Sequence, residues 1–224
     1  MQKVITAKNI NKSFKVGIEI VHVLKDVSIE LESSNISIII GPSGCGKSTL
    51  LHILLGLEKP DTGEILINGN DIYSYEEGEM NRFRRKNIGM VYQHPNWVKS
   101  LSVLENVALP YIINGEDILQ ARRKAKELID SIGMIDFLEY SPVDLSSGQQ
   151  QKIAFVRALM NDPSIIIADE PTGNLDKDSG MEIINLLLDQ KKMNKTILMV
   201  THNLDYSKYA DKLIEMVDGK VKIT

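Results

Sequence analysis

Gly41-Pro42-Ser43-Gly44-Cys45-Gly46-Lys47-Ser48-Thr49 decides how this chain is read. The stretch satisfies G-x-x-x-x-G-K-[ST] at every position. It also stands where that pattern has physical meaning: the β-branched run Ile36–Ile40 stops at Gly41, and residues 48–57 read as a helix ended by Gly56 and Pro60. Strand, glycine turn and helix in that order make a phosphate cradle. Glycines let the backbone curl so that successive N–H groups converge on phosphate oxygens with no side chain in the way. Lys47 supplies a point charge for β- and γ-phosphates, the helix beginning there adds its positive end, and the Ser48 hydroxyl suits Mg2+. Ser43, Gly44, Cys45, Gly46 and Thr49 complete the cradle. Cys45 reads as a small tolerated side chain and as a chemical probe, because alkylation there should obstruct nucleotide binding.

Outward from the cradle, strands and helices alternate. Strands are expected at 64–68, before the turn residue Gly69, and at 88–92, 164–168 and 196–200. Ser102 and Glu105 have capping-box spacing. Residues 116–132 form a charged amphipathic helix with Ile118, Leu119, Ala125, Leu128 and Ile129 on its apolar side. A helix over 179–192, a helical turn at 206–209 and a hairpin across Asp218-Gly219 between 213–217 and 220–223 close the chain. The alternation argues for an α/β core, about 1–93 and 161–224, interrupted by a helical insertion at about 94–160.

Composition narrows the class. The 224 residues are 43% hydrophobic and 25% charged, which excludes a disordered or collagen-like chain. Lys+Arg 26 against Asp+Glu 30 gives a net charge of −4, so a whole-chain electrostatic grip on nucleic acid is not expected. The single cysteine forms no intrachain disulfide, the first residues lack the apolar stretch of a signal peptide, and no apolar run approaches bilayer-spanning length. A cytoplasmic chain that meets a membrane only through a partner is expected.

Ser164-Ile165-Ile166-Ile167-Ala168-Asp169-Glu170 is an apolar strand ending in adjacent carboxylates. In a nucleoside triphosphatase the first carboxylate belongs near Mg2+ and the second can orient attacking water. His202 follows the strand at 196–200, while His22, His52 and His94 read as structural. No cysteine/histidine cluster has zinc spacing. Arg82-Phe83-Arg84-Arg85-Lys86 reads as a solvated surface run or a face for anionic lipid.

With these residues in place, the chain resembles the nucleotide-binding subunits of ATP-binding-cassette transporters. Asp144-Leu145-Ser146-Ser147-Gly148-Gln149-Gln150-Gln151 is similar to the family signature LSGGQ and its glutamine extension. Gln93 matches the Q-loop, Gly173-Asn174-Leu175-Asp176 the D-loop, Thr201-His202 the switch histidine, and Phe14 the aromatic stacked on adenine. The resemblance implies a P-loop NTPase (RecA-like) core with an N-terminal antiparallel β region and a helical subdomain. It implies two cassettes sandwiching two MgATP head to tail. Lys47, Ser48, Gln93, Asp169, Glu170 and His202 of one chain would face Ser146, Gly148 and Gln149 of the other, and Asp176 would couple the sites. Metal ligands would be Ser48, Gln93 and Asp169; Glu170 would be the general base.

Two departures stand out. Ser147 replaces the first signature glycine, which strains the loop if that position needs positive φ and is mild otherwise. Lys152 stands where the family often has arginine. Glu170-Pro171-Thr172-Gly173-Asn174-Leu175-Asp176, Val23-Leu24-Lys25-Asp26-Val27-Ser28 and Leu104-Glu105-Asn106-Val107 resemble the lipoprotein-releasing, macrolide-export and antimicrobial-peptide-resistance branch. The implied partners are a second copy and an integral membrane permease. A regulatory cassette signalling through a membrane partner, kept open by Ser147, and a soluble nucleic-acid- or ribosome-associated ATPase are the other readings. Trp97 either lines a groove for a permease helix or packs inside the insertion.

Overall fold

The computed structural model describes residues 2–223. The chain runs β1 (Lys3–Val16), β2 (Glu19–Glu32), β3 (Ile36–Ile40), α1 (Lys47–Leu54), β4 (Thr62–Ile67), β5 (Asn70–Asp71), α2 (Glu77–Asn87) and β6 (Ile88–Val91). It continues through α3 (Val103–Ile113), α4 (Ile118–Ser131), α5 (Ser147–Ala158), β7 (Ile165–Asp169), α6 (Lys177–Lys192), β8 (Thr196–Thr201), β9 (Lys212–Val217) and β10 (Lys220–Ile223). These elements gather into two units: one runs through Asn81 and resumes at Lys191, the other is Arg82–Gln190.

The first unit holds an antiparallel sheet ordered β2-β1-β4-β5. Its long ribbon reverses at Gly17, whose φ of 63° favours glycine. Bulges break the β1–β2 register near Asn9 and Asp26, both left-handed, and the Asn9 amide donates to Asp26 Oδ1 at 2.8 Å. Asn and Asp tolerate that conformation, and the bulges sharpen the ribbon's twist. Elsewhere in this unit β3 lies between β8 and β9, parallel to both, with β10 antiparallel to β9. Every residue of β3 and β8 is buried, as parallel strands covered on both faces require. Asp211 anchors the start of β3, accepting from Ile36 N–H at 2.7 Å and Lys191 Nζ at 2.6 Å. Burial works to raise the Asp211 pKa, but these donors outweigh it and hold the carboxyl below its ordinary value.

In the second unit β6 and β7 pair in parallel, with Val91 opposite Ala168. The Ser102/Glu105 capping box forms as its spacing predicts. Helix α4 departs from expectation: Ala121, Ala125 and Ile129 are its buried stripe, while Ile118 and Leu119 are 58% and 74% exposed. Asp117 caps the helix by accepting from Leu119 and Gln120 N–H. The apolar pair therefore occupies the first turn, off the i, i+4, i+8 line on which two alanines bring α4 close to its neighbours.

Helix α1 also ends earlier than expected. Gly56 turns left-handed (φ 65°), Gly56 N–H donates to Ile53 O, and Leu57 N–H donates to His52 O. That is a Schellman close, so the glycine stops the helix before Leu57. The basic run at 82–86 lies in α2, whose first turn carries Glu77 and Glu79 and whose last carries Arg84, Arg85 and Lys86. Both ends complement the helix dipole, which gives those charges a folding role.

Candidate active site

In the first unit the cradle joins β3 to α1. A Cβ on Gly41 would lie 2.1 Å from the Met216 carbonyl oxygen, so no larger residue fits there. Gly44 and Gly46 have φ of 79° and 105°, which frees the backbone to curl. Lys47 is 8% exposed, and its Nζ donates to Gly41 O at 2.8 Å and Pro42 O at 2.9 Å, spanning the loop. Ser43, Gly44 and Ser48 are exposed. The Cys45 carbonyl accepts from Gly219 N–H at 3.1 Å, pinning the loop to the β9–β10 turn. Cys45 is buried, 5% exposed, which corrects the reading of this thiol as a ready probe, because a reagent does not reach it from solvent.

Phe14 lies on β1 opposite Val21 and keeps 36% of its surface exposed. His202 is exposed immediately after buried β8, where Asn203 N–H donates to Thr201 Oγ1 at 3.1 Å and turns the chain.

In the second unit, adjacent parallel strands deliver polar groups at their carboxyl ends, the usual place for ligand sites in such sheets. Strand β6 leads to Gln93, and β7 ends at Asp169 followed by Glu170. Glu170 has φ 46°, a strained conformation for a residue bearing a Cβ. Its carbonyl accepts from Gly173 N–H at 3.0 Å, and a Cβ on Gly173 would sit 2.9 Å from Gln93 Nε2. The turn after Glu170 and the Gln93 amide are therefore fitted to each other. The Asp176 carboxylate caps α6, accepting from Ser179 N–H at 2.9 Å, Ser179 Oγ at 2.7 Å and Asp178 N–H at 3.0 Å. The Ser179 backbone bond leads in holding its pKa below the usual carboxylate range.

The signature segment opens α5. Ser146 Oγ accepts from Gln149 N–H, and the Gln149 side chain accepts from Ser146 N–H at 3.0 Å, forming the expected capping box. Ser147 is the first helical residue, exposed and with ordinary helical backbone, so its Cβ causes no strain. Gly148 is different: a Cβ there would lie 2.9 Å from Ser179 Oγ and 3.1 Å from Ser179 Cβ. Ser147→Gly is therefore expected to leave ATP turnover within about twofold. Gly148→Ala should lower thermal stability by about 1–3 kcal/mol and slow turnover more than Ser147→Gly does; melting curves and rates on the two variants check this.

Several partners were invisible in the sequence. Trp97 Nε1 donates to Gln150 Oε1 at 2.9 Å, and Arg157 lies 4.4 Å over its ring while donating to Asn96 O. Gln151 Nε2 donates to Tyr92 O at 3.0 Å. Trp97 is thus engaged inside its own unit, and α5 grips the segment on both sides of Gln93. Burial pushes the Tyr92 phenol up and the Arg157 guanidinium down. Lys152 forms an ion pair with Glu182, which gives it work without a bidentate fork. Only Asp176-x-x-Ser179 carried a signal, as a helix N-cap pattern.

A glycine cradle on a parallel strand, followed by a strand ending in paired carboxylates, defines a P-loop nucleoside triphosphatase. The family model for the ABC transporter matches residues 24–173, and the chain belongs to that family as one of its ATPase cassettes. An ABC transporter ATP-binding protein of Methanocaldococcus jannaschii is 43% identical over 97% of both chains. The lipoprotein-releasing system ATP-binding protein LolD of Rickettsia bellii is 40% identical over 99% of both. The macrolide export ATP-binding/permease protein MacB of Bartonella henselae is 38% identical over 97% of this chain and 33% of its own length. Among solved structures, the dimeric post-hydrolysis state of the cassette MJ0796 bound to ADP and Pi superposes with a TM-score of 0.90 at 36% identity, covering 97% of this chain and 96% of that one.

Proposed function

We propose that this cassette pairs head to tail with a second copy around two MgATP and powers a membrane-embedded export, extrusion or lipoprotein-release complex. Lys47 and the cradle amides hold the β- and γ-phosphates, and Phe14 stacks on adenine. Ser48, Gln93 and Asp169 offer hydroxyl, amide and carboxylate oxygens, a hard donor set that suits Mg2+ when phosphate supplies the remaining ligands. The ion would neutralise developing phosphate charge. Glu170 orients the attacking water, His202 steadies the γ-phosphate, and Asp176 acts at the seam between copies. Residues at about 94–160 serve as the helical subdomain and the remainder as the core.

The observation that carries this reading is the start of α5. Ser146 and Ser147 are exposed, the capping box fixes the first turn, and the helix directs its positive end outward. A second preorganised anion site in the chain makes sense as the half that closes over a partner's γ-phosphate. Similarity to LolD and MacB supports the export and release branch, with the cassette peripheral on the inner membrane face through its permease. Among the described residues no helix is long and apolar enough to cross a membrane. Sedimentation velocity tests the pairing: ATP without divalent metal should shift the protein to twice its mass, and a species that stays monomeric at saturating ATP while hydrolysing MgATP at full rate would refute it.

A further inference from the structure

We infer that Lys12 is a positioning residue for base recognition: its ammonium occupies one face of the Phe14 ring and leaves the other for adenine. The inference rests on the reading of Phe14 as the adenine platform. Lys12 Nζ lies 5.0 Å from the Phe14 ring centroid, within cation–π range. Lysine is seldom buried unless paired, yet Lys12 is only 9% exposed.

Its partners explain the burial and the geometry. Nζ donates to Lys59 O at 2.7 Å and forms ion pairs with Glu58 and, at 3.7 Å, Asp61. Asp61 Oδ2 also accepts from Ser13 N–H at 2.7 Å, and Asp61 N–H donates to Asn11 O at 2.8 Å. The segment 58–61 is the exit from α1, so the chain returns, two to five residues past the glycine stop of that helix, to grip the strand that carries Phe14. Lys12 and Asp61 thus join the exit of the helix that follows the phosphate cradle to the strand that carries the base platform. The cation also polarises the ring: drawing electron density toward its own face makes the opposite face less negative, which favours stacking by an electron-rich purine.

The test compares ATP with inorganic tripolyphosphate, which carries a similar phosphate chain and no base. Calorimetric titration of the full chain gives the ratio of the two affinities. Phe14→Ala should lower that ratio by about tenfold, the size of a lost aromatic stack. Lys12→Met should lower it by about threefold to tenfold while tripolyphosphate binding shifts less than about twofold, and Lys12→Arg should restore most of the loss. Lys12→Met added to Phe14→Ala should lower the ratio no further, because the lysine acts through the ring.

Equal weakening of both ligands by Lys12→Met would mark a merely structural lysine and overturn the inference, as would an unchanged ratio. An unchanged ratio in Phe14→Ala would instead remove the adenine platform itself, and the inference with it. Where Lys12→Met does not fold, Glu58→Gln takes its place, because that carboxylate is 37% exposed and its replacement removes an ion pair that holds the ammonium. The ratio should fall in the same direction, and a wild-type ratio there overturns the inference equally.

Discussion

Replacement of Lys47 by alanine is expected to cut ATP turnover by about 1,000-fold in a chain that still folds. The lysine is buried and bonded to the carbonyls of Gly41 and Pro42, so its loss removes two charge-assisted hydrogen bonds from a loop otherwise held by glycine geometry and by Gly219. That costs about 1–3 kcal/mol, less than the stability of an ordinary domain of this size. The kinetic cost is larger on the proposed function, in which the ammonium, the only side-chain cation within the cradle motif, meets the charge that builds on the transferring phosphoryl group. Lys47→Met separates the two effects by keeping the stem and removing the charge. It should melt close to the parent and remain as inactive as Lys47→Ala. Steady-state phosphate release and melting curves decide the matter; either variant turning over at about a tenth of the parent rate would take Lys47 out of the phosphate site.

What could be read beforehand follows a physical divide. Ile36–Ile40 and the strand into Asp169 were legible as isoleucine-rich runs, and the terminal hairpin because Asp218-Gly219 separates two short strand patterns. The capping boxes at Ser102/Glu105 and Ser146/Gln149 were legible because a cap is local chemistry at fixed spacing. The β1–β2 ribbon was not read from the residues: its bulges at Asn9 and Asp26 interrupt the alternation that announces a strand. On α4 the reading found Ala125 and Ile129 but missed Ala121, because alanine carries little hydrophobic signal, and took the exposed first-turn pair Ile118 and Leu119 in its place. At the site, loop residues announced themselves by type and order. Their supports did not. Ser179 against Gly148 and Gln150 on Trp97 are partnerships across 31 and 53 residues, and Lys12 beside Phe14 on β1 is held there by Glu58, Lys59 and Asp61, more than 40 residues away, so all three are visible only once the chain is folded. The departure at Ser147 shows the same limit from the other side, since its effect hinged on a backbone angle that composition does not encode.

Replacement of Glu170 by glutamine should separate binding from turnover. The amide keeps the size of the carboxylate and cannot accept a proton from water, so hydrolysis should fall by about 100- to 10,000-fold while ATP still binds. If the cassettes close before they hydrolyse, the variant accumulates an ATP-bound dimer that the parent consumes. The backbone adds an independent check. At φ 46° Glu170 carries a Cβ penalty of about 1–2 kcal/mol, and glutamine inherits it, so Glu170→Gln should melt within about 1 °C of the parent. Glu170→Gly relieves that penalty at a cost of about 0.5–1 kcal/mol in chain entropy, so it should be as stable as the parent or more stable by about 1 kcal/mol. Yet it should be at least as inactive as Glu170→Gln. Strain retained at one carboxylate, in a position where glycine is cheaper, makes sense only if the carboxylate is needed there. A glycine variant that is stabilised and still hydrolyses ATP at the parent rate would mean that the angle at residue 170 serves the turn to Gly173, and that the water is oriented by another group.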